Sequence, residues 1–560
     1  MKRALVLLLL VGAQRLDAQT RAPRVFADSA ADLRYAIADT TEVITRTPLT
    51  SLDYLKKAIV LFARNQDEAG AEMYFRGIAA WEDSASAAAY VDDALIVGTD
   101  QEVISLTDGS LSKRANSLKL YWKKRAVRDG VSIPTRIGDH YRRIAFARTN
   151  FRLTAAHPPA SRWVLVRRDG VAKELDDRGV VYVRFGKPVN RLALTSQLTG
   201  KDVWLYYDTE GHKLIFWFNM GRIEPDALAK SPYVVKASME RDTSVVDRLQ
   251  DYATFDPRYA FMSARLQTIH TYEISLMNPL QKAIAINDRL EDMYRLNDRI
   301  TQEHAERMGH AIGMDQARPA FLKPLPTYHD FATFRGNGCT DIVYSIMAQA
   351  PAYELSVAVA DTFTWETEAV ETRVARGTPA DGYLRSTGVF CTQPRNNAYM
   401  RFTVKADDNR GVTEGGEIRI ADYRGNHLMM SDLLFATTAP GPFIRGKAHL
   451  AIIPPRQFVE GEAFRVFYEL YNLPRGARYR TDITFKTIES GVFTKVFKGH
   501  KKTTVSFEDE AVTDDLVQEL RTLVPQVEPG KVEVTISVTN LATQQKATSK
   551  ENIYILAKEK

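Results

Sequence analysis

The chain has 560 residues, 75 Lys and Arg against 69 Asp and Glu, and a net charge of +6. A hydrophobic share of 45% with 26% charged residues excludes wholesale disorder, and the length exceeds what one core can serve, so about three to five domains are expected. Two cysteines, Cys339 and Cys391, have no histidine close to either, which excludes a cysteine-built zinc site.

Met1-Lys2-Arg3, an apolar stretch over 4–13 and Leu16-Asp17-Ala18 together predict a cleaved secretory signal at 1–18. The apolar stretch is too short to span a bilayer and no later one approaches that length, so no transmembrane span is expected. No cysteine near the cleavage point offers a lipid anchor. The expected location is therefore periplasmic or secreted, and in such a compartment Cys339 and Cys391 fit either a disulfide or two buried thiols.

Residues 19–155 read as a helical domain. Leu52, Leu55, Ile59 and Phe62, then Ala71, Tyr74, Phe75, Ile78 and Trp81, recur at helical spacing on either side of Asn65-Gln66-Asp67, a hairpin the size of one tetratricopeptide unit. Further helices are predicted over 111–127 and 137–151, with Gly130 and Pro134 marking the break. Between Lys113 and Arg168 lie fifteen basic residues against Asp129 and Asp139, a net +13, so the rest of the chain carries −7. Lys123, Lys124, Arg142 and Arg143 in this stretch could contact an anionic glycan or lipid surface; alternatively the arginines pair with acidic neighbours such as Glu82, Asp83, Asp92 and Asp93. Nucleic acid is not expected as a partner.

Residues 156–225 read as a small antiparallel sheet rich in aromatics: strands near 163–167, at 180–185, at 203–207 and at 214–218, the last two joined around Gly211. A helical segment over 226–322 follows, where Ile286, Leu290, Met293, Asn297, Ile300 and His304 share one face. From 323 onward the pattern is β: Ile342, Tyr344 and Ile346, then Leu355, Val357 and Val359, then Met400, Phe402 and Val404, and finally the alternating run 532–539. Two β-sandwiches, at 323–440 and 441–560, are predicted. The expected fold class is thus α+β multidomain: helical N-terminal region, small antiparallel β domain, helical linker and a C-terminal tandem of immunoglobulin-like sandwiches.

Chemistry-bearing motifs are few. The stretch from Gly441 to Ala448 falls one residue short of a phosphate loop, with Pro442 removing a needed N–H and Ala448 in place of the magnesium-binding hydroxyl. His304 and His310 are six apart and point to different helix faces, so Glu303-His304-Ala305-Glu306 is not expected to hold a metal. Tyr328-His329-Asp330 reads as a loop with a locally bonded histidine, and Asp407-Asp408-Asn409 as a turn. The most pointed cluster is Asp176-Asp177-Arg178-Gly179, where Asp177 and Arg178 could orient a ligand against Trp204, Tyr206 and Tyr207 or form an ion pair that caps the sheet.

Tyr121-Trp122-Lys123-Lys124-Arg125, His140-Tyr141-Arg142-Arg143-Ile144-Ala145-Phe146-Ala147, the stretch from Asp176 to Val183 and Gly186-Lys187-Pro188 together resemble the GWxTD-domain family of exported bacterial proteins. The likeness continues through Phe334-Arg335-Gly336, Ser431-Asp432-Leu433, the stretch from Phe467 to Leu473 and Pro529-Gly530, covering about 115–540. Where the family has Gly-Trp-x-Thr-Asp this chain has Lys173-Glu174-Leu175-Asp176-Asp177, keeping the last aspartate. The resemblance implies a multidomain exported protein and transfers no catalytic residue. The expected function is non-enzymatic, an interaction or structural role at the cell envelope without metal or cofactor. The alternative is an envelope hydrolase or carbohydrate-acting enzyme using Asp177 across an aromatic-lined cleft.

Overall fold

The computed structural model describes residues 43, 45, 47–153, 174–196, 199–207, 213–219, 221–224, 249–250, 252–268, 276–311, 315 and 323–558, with breaks at 378, 380–381, 408–409, 490–501 and 526. The expected signal at 1–18 and the strand near 163–167 lie outside these residues. Two compact units divide the chain, Met1–Pro319 and Ala320–Lys560.

The first unit opens with six helices: α1 (Ser51–Ala63), α2 (Asp67–Ala79), α3 (Ser84–Leu95), α4 (Asp100–Thr107), α5 (Leu111–Asp129) and α6 (Ile133–Asn150). Their starts are written locally. Thr50, Asp83 and Thr99 close reciprocal capping boxes with Asp53, Ser86 and Glu102, each satisfying N–H groups that the first helical turn leaves unpaired. Gly130, at φ 72°, ends α5 in the left-handed conformation, and Pro134 sits in the first turn of α6, where its missing N–H costs nothing. The predicted hairpin is α1 and α2; Leu55, Ile59, Phe62, Tyr74 and Ile78 are buried in it.

Residues 180–185 form no strand. They belong to helix α7 (Asp177–Phe185), whose N-cap Asp176 accepts from the Gly179 N–H at 3.0 Å. Val180, Val181, Val183 and Phe185 are all buried. A short helix buried nearly all round has no polar face, so its sequence reads like an interior strand.

The sheet proper is a four-stranded antiparallel meander, β1 (Asn190–Ser196), β2 (Thr199–Tyr207), β3 (Lys213–Asn219) and β4 (Arg222–Glu224), in that order. Its alternation buries both faces. Trp204, Tyr206, Phe216 and Phe218 join the helical core with Phe151 and Phe185. Val203, Leu205, Ile215 and Trp217 face a second core with Tyr252, Phe255, helix α8 (Arg258–Thr268) and helix α9 (Pro279–Ala311), to which α9 gives Leu290, Met293 and Ile300. The amphipathic stripe of α9 therefore packs on its own chain.

The second unit is a tandem of sandwiches. The first pairs a three-stranded sheet of β6 (Thr327–Arg335), β7 (Thr340–Ala348) and β10 (Leu384–Thr392), with β7 central, against a five-stranded sheet in the order β5-β12-β11-β8-β9: β5 (Lys323–Pro324), β12 (Arg410–Ile420), β11 (Arg395–Ala406), β8 (Ala352–Asp361) and β9 (Thr367–Arg376). The second begins with β13 (Met429–Met430), β14 (Leu434–Ala436) and the hairpin β15 (Phe443–Arg445) to β16 (Ala448–Leu450). In it β18 (Phe464–Tyr471) pairs with β13, β14 and β21 (Leu516–Leu523), facing a sheet in the order β17-β23-β22-β19-β20: β17 (Gln457–Val459), β23 (Lys546–Leu556), β22 (Gly530–Asn540), β19 (Arg478–Glu489) and β20 (Lys502–Glu510). In both sandwiches a short early strand pairs parallel with the last strand, β5 with β12 and β17 with β23, while the other ladders run antiparallel. This repeated connectivity is consistent with immunoglobulin-like sandwiches.

Inward alternation builds each core: Tyr344 and Ile346 meet Leu355, Val357, Phe402 and Val404 in the first, and Val466, Tyr468 and Leu470 meet Ile483, Phe485, Val534 and Ile536 in the second. A further cluster of Ala332, Phe334 and Val343 with Leu434, Leu450 and Phe467 joins the two sandwiches. Residues 328–330 lie within β6 rather than in a loop. The glycine-rich stretch ends in the β15–β16 hairpin, with Gly446 at φ 58° in its turn, so its glycines serve a reversal of the chain. A disulfide joins Cys339, just before β7, to Cys391 on β10, with Cα atoms 6.0 Å apart.

Candidate functional site

The cluster at the start of α7 is assembled by helix capping. The Asp177 N–H donates to the Gly221 carbonyl at 3.0 Å, and its carboxylate accepts from the Ile223 N–H at 2.9 Å, which ties α7 to β4. Arg178 donates from Nε and Nη2 to Asp176 Oδ2, at 2.9 and 2.6 Å, and burial pushes the Asp176 carboxyl up against the pull of Arg178. Arg191 grips Asp202 with Nε at 2.9 Å and Nη2 at 2.6 Å.

Trp204 adjoins this cluster, with Arg191 5.7 Å from its ring centroid and Arg178 5.4 Å from that of Phe151, and Tyr206 lies two residues on along β2. Trp204 and Tyr206 are buried, at 1% and 3% exposure, and Tyr206 donates its hydroxyl proton to the Gly186 carbonyl at 2.9 Å. Trp204 packs on Phe151 and Phe218 at centroid distances of 5.2 and 4.9 Å. Tyr207, one residue on, faces the opposite core. Of the expected ligand set of Asp177, Arg178, Trp204 and Tyr206, the two aromatics are packed in a core, because the sheet is covered on both faces.

The four cations expected to form an anionic contact are likewise divided. Lys124 is exposed and Lys123 half-buried on α5. Arg142 forks onto Asp67 at 2.6 and 3.2 Å and donates to the Phe62 carbonyl at 3.0 Å. Arg143 is buried, pairs with Asp139 at 2.7 Å and donates to the Arg184 carbonyl at 3.0 Å. Expecting a shared cationic surface overlooked that arginine, with its weakly hydrated planar head, is the cation most readily drawn into an interior.

The densest charge cluster of the unit centres on Asp315, whose side chain is wholly buried. Arg125 donates from Nε to its carboxylate at 3.3 Å, Arg128 from Nη2 at 3.0 Å, and Arg136 pairs with it as well. The same arginines take other acids: Arg125 forks onto Glu102 at 2.8 and 2.9 Å, while Arg128 and Arg136 share Asp129, each at 2.8 Å. Burial alone would raise the Asp315 carboxyl; Arg125, Arg128 and Arg136 overbalance it and hold the group far below the ordinary carboxylate range. His140, buried beside Arg136, has its pKa lowered to about 3, first by burial and then by that charge; its Nε2 lies 2.9 Å from the Asp93 carbonyl. Sequence reasoning missed Asp315, a lone aspartate 179 residues from Arg136, with no local pattern to mark it.

In the β unit, Arg456 donates from Nε to Asp330 at 3.1 Å and also pairs with Glu551, and burial pushes Asp330 up to about 6 despite Arg456. Arg445 donates to Asp341 at 3.0 Å and to Glu469 at 2.9 and 3.0 Å. Cys339, Asp341 and Cys391 lie close enough to share a metal ion, but both sulfurs are in the disulfide and Asp341 is held by Arg445. Glu303, from the histidine-bearing stretch of α9, pairs with Arg258 at 2.7 Å. In each of these clusters an arginine is paired with one or more carboxylates.

No protein-family model matches the chain. No characterised protein sequence matches it either. Among solved structures, a crystal structure of red sea bream transglutaminase is similar over 47% of this chain and 34% of its own, at 9% identity and a TM-score of 0.15, so the match spans about a third of that enzyme's length and carries no argument about function. Among the described residues, no helix is long and apolar enough to cross a membrane.

Proposed function

We propose that this chain is an exported, non-enzymatic protein that binds partners at the cell envelope, with the tandem sandwiches as its presenting element. The observation that carries the reading is the join between the sandwiches. Arg456 on the second grips Asp330 on the first, Arg445 grips Asp341, and Phe334 packs on Phe467 at 5.9 Å between centroids. Paired modules joined by apolar contacts and charge-assisted bonds hold a fixed geometry, which suits a surface that must be presented rather than one that must close on a substrate. The single disulfide accords with an oxidising compartment. The resemblance to the GWxTD family of exported proteins points the same way.

The test is direct. Labelled mature protein is sedimented with envelope vesicles, and saturable binding that unlabelled protein displaces is the expected result. Linear, non-displaceable association would remove the proposal's basis, and turnover of a glycoside, ester or peptide substrate would replace it with the enzyme reading.

A further inference from the structure

Strand β21 closes one edge of its sheet. It pairs with β18 along its whole length, from Leu516 opposite Tyr471 to Leu523 opposite Phe464, and among the described residues no strand lies on its other side. The chain passes from the end of β20 at Glu510 to the start of β21 at Leu516 with no strand between them to cover that edge.

Open edges are ordinarily guarded by charge, brevity or side-chain caps, because their unpaired N–H and C=O groups template further pairing. Several other edges among the described residues of this unit are guarded. Edge strand β9 carries Glu368, Glu371, Arg373 and Arg376, and β20 ends in Glu508-Asp509-Glu510. On β10, Arg373 donates to the Thr387 carbonyl at 3.0 Å; on β6, Asp432 accepts from the Thr333 N–H at 2.7 Å. Strands β5, β13, β14 and β17 have two or three residues each. The charges of β21, Glu519 and Arg521, lie on its inner face and are held there by Tyr479 and Asp509. Its outward row with its extension is Leu516, Gln518, Leu520, Thr522 and Val524; Gln518 donates to Glu469 and accepts from the Lys447 N–H, and Leu516, Leu520 and Val524 are 36%, 39% and 54% exposed.

That row is complementary to itself. An antiparallel copy centred on Leu520 sets Leu520 opposite its own mate, Leu516 opposite Val524 and Gln518 opposite Thr522. On the inner face the same register sets Val517 opposite Leu523 and brings Glu519, already bonded to Tyr479, opposite Arg521, already paired with Asp509 of its own chain. Every cross-strand pair is then apolar, amide to hydroxyl, or of opposite charge, the combinations that stabilise a ladder. Moving the register by two residues sets Leu520 against Thr522 and loses the match. A palindromic edge of this kind is what a two-fold interface requires, since each residue must meet its partner from both sides.

We propose that two copies of this chain associate through antiparallel pairing of their β21 strands about Leu520, joining the two sheets into one. This goes beyond the envelope-binding reading and does not depend on it, since purified protein alone supplies both partners.

The experiment uses the full mature chain. Light scattering coupled to size exclusion is expected to give a dimer, and Leu520→Lys, which sets two like charges face to face, is expected to give monomer with an unchanged circular dichroism spectrum. Because both native cysteines are already bonded, Leu520→Cys is expected to form one intermolecular disulfide under mild oxidation. Leu516→Cys mixed with Val524→Cys is expected to cross-link, while Leu516→Cys alone is not. A monomeric wild type, or a Leu520→Cys variant that cross-links no faster than Val370→Cys on β9, overturns the proposal even if Leu520→Lys fails to fold.

Discussion

Asp315 and Arg125 are 190 residues apart, yet the aspartate Oδ2 lies 3.3 Å from the arginine Nε with both side chains sealed from water. With Arg128 and Arg136 also on Asp315, one carboxylate joins α5 to α6. A buried pair of this kind contributes little compared with an apolar replacement of both partners, but breaking one side of it strands uncompensated charge.

Asp315→Ala is therefore expected to destabilise the helical unit by about 3–5 kcal/mol, read from urea titrations of the full chain followed by circular dichroism. A loss below about 1 kcal/mol would mean that the three arginines keep their charge solvated without it. Since the folded-state pKa is depressed, this contribution is complete above the unfolded carboxyl value of about 3.9 and fades only as pH falls below it.

His140 in the first unit and Asp330 in the second should respond to mild acid in opposite senses. His140 has a folded pKa lowered to about 3, so its contribution is present above the unfolded value near 6.5 and is lost as pH falls, by about 2 kcal/mol between about pH 7 and 5. Asp330, raised to about 6, contributes stability that is present below about 3.9 and lost as pH rises through 6, so the same acidification should raise the contribution of Asp330 to the β unit by about 1 kcal/mol, against a loss from His329, whose pKa is lowered by burial and by Arg456. Urea titrations at both pH values, read peptide by peptide by hydrogen-exchange mass spectrometry, separate the units. His140→Gln should abolish the first slope and Asp330→Asn the second.

The disulfide closes a loop of 52 positions between β7 and β10. Replacing both cysteines by serine should cost about 4 kcal/mol in the first sandwich by the loop-entropy account. Calorimetry of the variant against wild type, with and without reductant, checks this. Reductant should shift the wild type alone.

Asp176→Ala removes both the N-cap of α7 and the partner of Arg178. The cap alone is worth about 1–2 kcal/mol, and the loss should appear in denaturant unfolding as a lower midpoint at unchanged slope. A changed slope would show that α7 unfolds separately from the sheet.

The periodic elements were legible because their repeats match the geometry that buries them. Leu355, Val357 and Val359 alternate along β8, and Leu290, Met293 and Ile300 mark the buried stripe of α9. The pattern failed at 180–185, where all faces are apolar and period carries no information, and at 328–330, where polar residues outnumber apolar ones at the start of β6. The surroundings of the candidate site residues were not legible for another reason. Trp204, Tyr206 and Arg143 are residue types that serve a ligand or a core equally well, and only the layers packed against them decide which.

What the sequence determined by itself is local: capping boxes, a glycine-ended helix, alternating strands and the order of helical and β segments, all set by interactions among residues a few positions apart. Only the tertiary structure decided that the aromatic sheet is covered on both faces, that Asp315 completes an arginine cluster, that Cys339 meets Cys391 and that β21, among the described residues, pairs with a strand on one side alone. Those outcomes depend on which segments distant in the chain come to lie together, and burial, not residue type, then fixes whether a charge or an aromatic ring is spent on the fold.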